Sequence, residues 1–194
     1  MKPIKTGILV FAMLWIVVGI LYPLLITSLS LAVFHRQAEG SLIYTGNETI
    51  SGSYLIGQPF SDPKYFWPRP SSTSGFPYNP LASGGSNLGP TNPELLKQIS
   101  DRQTALRISG MNGSIPSDLV MASGSGLDPH ISLEAALAQI PRVAKARGLD
   151  ENTLKTLVSD NVENKFIVLS DVQYINILRL NLELDALETK PNGR

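Results

Sequence analysis

The chain has 194 residues, enough for one domain of ordinary size, and its 16 Lys plus Arg balance its 16 Asp plus Glu. With no basic patch or stripe there is no electrostatic footprint for nucleic acid, and no block of like charge marks a disordered tail. There is no cysteine, which excludes disulfides and thiol nucleophiles and fits an extracytoplasmic or a cytosolic domain equally.

The charges avoid the N-terminal region. Thr6 through Phe34 are 29 consecutive residues without Asp, Glu, Lys, Arg or His. As a helix this run measures about 43 Å, and about 20 apolar residues suffice to cross a bilayer. In lipid no water satisfies the peptide groups, so a lone segment must be helical. Residues 1–5 therefore read as a short N-terminal segment and 6–34 as a transmembrane helix, with a kink expected at Pro23. A secretory signal shares the leading Lys2 and Lys5, but its apolar region is about 7–15 residues long and ends in a small-residue cleavage site. Leu31-Ala32-Val33-Phe34-His35 offers no such site. The cations crowd the N-terminal flank, and only Arg36 precedes Lys64 on the other. The positive-inside bias predicts a cytoplasmic N-terminus and an extracytoplasmic domain over 35–194, with 14 Lys plus Arg against 16 Asp plus Glu.

Residues 35–50 read as a connector with Gly40, Gly46 and Asn47 as turn formers, and Ser53–Gln58 as a short strand. From Tyr65 to Pro93 there is one charged residue, Arg69, and six of the 14 prolines. Prolines remove amide donors and fix the backbone, so neither helix nor regular strand is expected. A flexible linker would suit the Gly, Ser and Pro content. Tyr65, Phe66, Trp67, Phe76, Tyr78 and Leu81 argue instead for an ordered loop over 65–93 whose apolar side chains pack on the domain or on a partner.

Asn92 followed by Pro93 predicts a helix start, with Leu95, Leu96, Ile99 and Leu106 at helical spacing. A second helix begins after Ser132 and sets Leu133, Leu137, Ile140 and Ala144 on one face. Arg142, Lys145 and Arg147 suit its C-terminal end, Gly148 closes it, and Pro141 predicts a kink. Asp150 caps a third helix bearing Leu154, Leu157 and Val158. Phe166–Leu169 reads as a strand. Ile175–Leu187 fits either period, with helix favoured after Asn176. The fold class expected is a single N-terminal transmembrane helix followed by one mixed α/β (α+β or α/β) extracytoplasmic domain.

Catalytic signatures are missing. There is no G-x-S-x-G elbow, no H-E-x-x-H zinc motif and no P-loop, since neither Gly84-Gly85-Ser86-Asn87 nor Gly124-Ser125-Gly126 is followed by its lysine. A potassium-filter T-V-G-Y-G, an Asp-Lys-Thr-Gly phosphorylation motif and a dedicated cation site are equally lacking. Asp128-Pro129-His130 with Ser123 or Ser125 could be a catalytic arrangement, but a turn leading into the Ser132 cap is the favoured reading.

Five islands carry a resemblance: Gly52–Phe60, Tyr65–Ser71, Ser83–Pro93, Ala122–Ser132 and Asn176–Leu182. In this order, after one N-terminal span, they resemble the C subunit of the Kdp-type potassium-transporting P-type ATPase. The likeness covers nearly the whole chain. It implies a non-catalytic accessory subunit of a high-affinity ATP-driven potassium importer in the bacterial plasma membrane. The implied partners are a channel-like potassium-translocating subunit, the P-type ATPase catalytic subunit, a small single-span subunit and the lipid bilayer. ATP, Mg and K+ would be ligands of the whole complex, and an external domain cannot reach cytosolic ATP. The implied role is to stabilise assembly, with an effect on potassium entry or on the ATP affinity of the complex. The residues expected at the partner surface are Phe66, Trp67, Arg69, Ser83, Gly84, Gly85, Asn87, Asn92, Ser125, Asp128 and His130. The alternatives are a membrane-anchored extracytoplasmic binding module unrelated to an ATPase, and a tethered hydrolase using Ser125, Asp128 and His130.

Overall fold

The structure, a computed structural model, describes residues 2–45, 49–164 and 173–189. The chain divides into two compact units, the first ending at Leu42 and the second beginning at Ile43.

The first unit is a long apolar helix. It comprises α1 (Lys2–Ile16), a π-helical turn over Val17–Leu21 and α2 (Tyr22–Val33), followed by the short α3 (His35–Ala38). None of its helical residues is buried within the chain, so its apolar side chains need another solvent. The expected disturbance at Pro23 takes a specific form. Proline cannot donate and its ring collides with the carbonyl four residues back. The helix widens by one residue in the preceding turn, where the Tyr22 N–H donates five residues back to Val17.

In the second unit the expected connector is partly a hairpin: β1 (Leu42–Thr45) pairs with β2 (Thr49–Ser53). The turn residues Gly46 and Asn47 lie outside the described residues, as do Phe166–Leu169. The strand expected at Ser53–Gln58 ends instead at Ser53. There the Leu55 N–H donates to the Ser53 hydroxyl, 3.1 Å away, and closes a turn.

The remaining elements are α4 (Pro93–Ile108), β3 (His130–Ser132), α5 (Leu133–Arg147), α6 (Glu151–Asp160), β4 (Val162–Asn164), β5 (Gln173–Asn176) and α7 (Ile177–Thr189). Caps set their boundaries. Asn92 accepts from the Glu94 N–H, Ser132 from Ala135, and Asp150 from Asn152 and Thr153. Gly148 stops α5 at φ +65°, where a side chain would be strained. Helix α5 runs unbroken through Pro141, which is exposed along with Leu137 four residues back. The carbonyl that loses its donor thus lies on the water side. For the same reason Leu137, expected on the inner face, points outward, and Ala135, Ala136, Gln139, Ile140, Val143 and Ala144 form that face.

The three-stranded sheet has the order β3-β5-β4, all antiparallel. Its register places Ile131 opposite Ile175 and Ile175 opposite Val162, one apolar row on one face. The core packs Ile131 and Ile175 with Ile140 and Val143 of α5, Leu154 and Val158 of α6, and Ile177, Leu180 and Leu184 of α7. Helix α4 adds a narrow stripe of Leu95, Ile99 and Leu106, while Leu96 and Ile108 stay exposed.

Candidate partner-docking loop

Between Tyr65 and Asn92 the chain forms only a 3-10 turn over Pro80–Ala82. Backbone without a ladder must find other partners when buried, and here two side-chain amides supply them. Asn181 of α7, nearly fully buried, accepts from the Phe66 N–H at 2.9 Å and donates to the Phe66 carbonyl at 3.0 Å. Gln139 of α5, also buried, accepts from the Trp67 N–H at 2.7 Å and donates to the Trp67 carbonyl at 3.1 Å. Two successive residues are thus gripped as a neighbouring strand would grip them.

Arg142 completes the clamp. Its guanidinium donates to Gln139 Oε1 at 2.6 Å and to the carbonyls of Pro63 and Tyr65 at 2.6 and 3.0 Å, and lies 4.4 Å from the Trp67 ring centroid. Burial pulls its pKa down to about 10, against the opposing pull of the Asp62 charge. Arg147 donates to the Lys64 carbonyl and to Asp185, and Asp185 also accepts from the Tyr65 hydroxyl.

A second seam joins the distal loop to residues 123–128. The Gly84 N–H and Ser83 hydroxyl both donate to the Ser125 carbonyl, at 2.8 and 3.1 Å. The Ser71 hydroxyl donates to the Gly126 carbonyl at 2.8 Å, and the Ser123 N–H to the Pro70 carbonyl at 3.3 Å. Gly126 is at φ +68°, and a Cβ there would lie 2.7 Å from the Gly84 carbonyl oxygen, so any side chain would part the seam. Tyr78 holds a left-handed backbone at φ +58°, rare for a bulky residue. Its N–H donates to Ser71 Oγ at 2.9 Å and its hydroxyl to the Arg69 carbonyl at 2.5 Å. Burial first, then the Asp128 charge, pushes the Tyr78 hydroxyl above the usual range.

Arg69 donates to Asp128 Oδ2 at 3.1 Å, and Asp128 Oδ1 accepts the His130 N–H at 3.0 Å with His130 Nδ1 at 3.4 Å. Burial pushes the Asp128 carboxyl up, but His130, through side chain and backbone, and then Arg69 outweigh it and hold the carboxyl below its usual range. The segment is a turn closed by Asp128. Ser125 Oγ is taken by the Leu127 N–H, and among the described residues no serine bonds to His130. No group of three His, Asp or Glu side chains forms a metal cluster among them either.

The residues expected at a partner surface therefore divide. Phe66 is fully buried in the core and presents no surface. Trp67 and Arg69 are half-buried, bordering a groove of about 230 Å³ with Phe60, Pro68, Pro70 and Arg102. Ser83, Gly84 and Gly85 meet the Ser125 segment, next to Asp128 and His130. Asn87 stands apart at φ +52°, and Asn92 is the cap of α4. The large apolar side chains that the loop turns outward are Phe76, 57% exposed, and Leu81, 93% exposed. Gln139 and Asn181 escaped the sequence reading, and Arg142, expected as a cation at the C-terminal end of its helix, is buried in the clamp. Their signal was a polar residue set in an apolar helix face, Gln139 beside Ile140 and Asn181 beside Leu180.

A family model for KdpC, described as K+-transporting ATPase, c chain, matches residues 4–186. The Potassium-transporting ATPase KdpC subunit of Geotalea uraniireducens is 54% identical over 187 residues, covering 96% of this chain and 99% of that one. The protein of that name from Geobacter sulfurreducens is 53% identical over the same coverage. The one from Sorangium cellulosum is 49% identical over 170 residues, 87% of this chain and 89% of that one.

Proposed function

From the premise that this chain belongs to the KdpC family of K+-transporting ATPase c chains, we propose that it is the accessory subunit that docks on its partners through the tip of the 65–93 loop. It is a subunit of the potassium-transporting ATPase complex and not itself catalytic. Its apolar N-terminal helix anchors it in the membrane. The proposed partners are the potassium-translocating channel-like subunit, the catalytic P-type subunit and the small single-span subunit. ATP, Mg and K+ belong to the complex as a whole. The N-terminus lies in the cytoplasm and the mixed domain outside, by the charge bias around the span, and the domain stabilises assembly while acting on potassium entry or on the complex's ATP affinity.

The observation that carries this reading is the contrast between the loop's ends. Its base is fixed by buried hydrogen bonds, and its tip displays Leu81 and Phe76 to solvent. An ordered apolar tip loses little entropy on docking and gains by leaving water. A Leu81→Ser, Phe76→Ser chain should keep its thermal midpoint. It should also recover less of the ATPase in a mild-detergent pull-down and support less potassium-stimulated ATP hydrolysis. Unchanged recovery and hydrolysis would remove the tip from the interface.

A further inference from the structure

The widened turn in the apolar helix takes from the Val18 carbonyl its ordinary donor, and proline at residue 23 removes that of the Gly19 carbonyl. In a helix the Val18 carbonyl is served by the N–H four residues on or, in a π turn, five residues on. The first, on Tyr22, donates to Val17 instead. The second does not exist, because residue 23 is proline. Further along the helix the Tyr22 phenol, one turn on, is exposed, and the aliphatic hydroxyls of Thr27 and Ser28 are more than two turns away.

The location makes this consequential. Thr6–Phe34 has its midpoint at Ile20, so the Val18 carbonyl lies about 3 Å from the centre of the span. Lipid tails offer no donor and water is excluded at that depth, so an unpaired carbonyl is costly there. Trp15 adds a second polar group, about 7 Å from the midpoint, whereas tryptophan ordinarily sits at the membrane surface. Its indole edge flanks Gly19, with Nε1 3.7 Å from where a Cβ would stand, and the three atoms nearest that point outside the local helix backbone all belong to Trp15. Gly19 thus leaves a place where a neighbouring backbone can approach closely.

We propose that Val18, Gly19 and Trp15 form a helix-docking site at mid-membrane. A transmembrane helix of a partner subunit inserts a hydrogen-bond donor, such as a hydroxyl or carboxamide, onto the Val18 carbonyl. The inference rests on membership of a membrane complex. Pro23→Ala restores the missing N–H and lets the helix satisfy itself. Gly19→Leu blocks the approach without touching the backbone count.

Each variant of the full chain is expressed with the complex, and its retention is followed by pull-down across a detergent series. In parallel, a photo-crosslinking residue is placed at positions 13 to 24 in turn. Both substitutions should weaken retention by about three- to tenfold. Crosslinks should peak on the Val18–Gly19 face and join an ATPase subunit identified by mass spectrometry. Retention changed by less than about twofold in both variants, or crosslinks to a second copy of this chain, would overturn the inference and leave the subunit reading intact. A wild-type chain that brings down no ATPase subunit would overturn both.

Discussion

A single side chain that both donates to and accepts from the same backbone residue is an economical way to order a loop. Gln139 and Asn181 each do so, for Trp67 and Phe66. Gln139→Ala strands the Trp67 N–H and carbonyl and takes a partner from Arg142, and groups left unpaired in the interior are expensive. The expected loss is about 2–4 kcal/mol, read as a lower urea midpoint of the full chain in detergent. Asn181→Ala should act similarly on Phe66. Trp67→Ala should also reduce stability, through the lost Arg142 stacking. Asp128 tests the electrostatics. Its carboxyl is held below the ordinary 3.8, so the folded state favours the carboxylate. That contribution is complete above the ordinary value and fades as pH falls below it. Asp128→Asn should therefore be less stable than wild type at neutral pH, with the gap narrowing in acid below about 3.8. A gap that stays constant to low pH would rule out the charged partners as its cause.

At the scale of elements, the two Gly/Ser islands are one structural unit, because the 83–85 segment lies directly on the 123–126 segment. Gly126 and Gly84 look alike in sequence but differ in what surrounds them. Gly126→Ala needs a left-handed backbone and meets the Gly84 carbonyl, whereas a Cβ at Gly84 meets nothing within 4 Å. Gly126→Ala should cost about 1–3 kcal/mol, and Gly84→Ala should leave the thermal midpoint nearly unchanged. If Gly84→Ala nevertheless lowers recovery of the ATPase, the loss reports a partner contact and not a folding defect. The helices behave more simply. Asn92, Ser132 and Asp150 cap α4, α5 and α6, and each cap acts through residues two or three positions away. The short strands contrast with this. β3 and β4 have three residues and β5 four, too few for an alternation to declare itself.

For the whole molecule, the separation of a stable base from an exposed tip allows assembly and folding to be measured apart. Leu81→Ser with Phe76→Ser should lower complex recovery alone, while Trp67→Ala should lower recovery and stability together. The opposite pattern, with the tip variant unfolding, would place Leu81 and Phe76 in the domain's own packing. The sequence by itself determined the apolar span, the helix starts at 92, 132 and 150, the helix after Asn176 and the kinship of the five islands. All of these rest on composition or on neighbours within a turn or two, where spacing alone states the physics. Only the tertiary structure decided that Phe66 is core, that Leu137 faces water, that β4 pairs with β5, and that Gln139 and Asn181 hold the loop. Those bonds join residues 72 and 115 positions apart. Which polar group meets which backbone over such distances is fixed by how the helices and sheet pack, and periodicity carries no record of it.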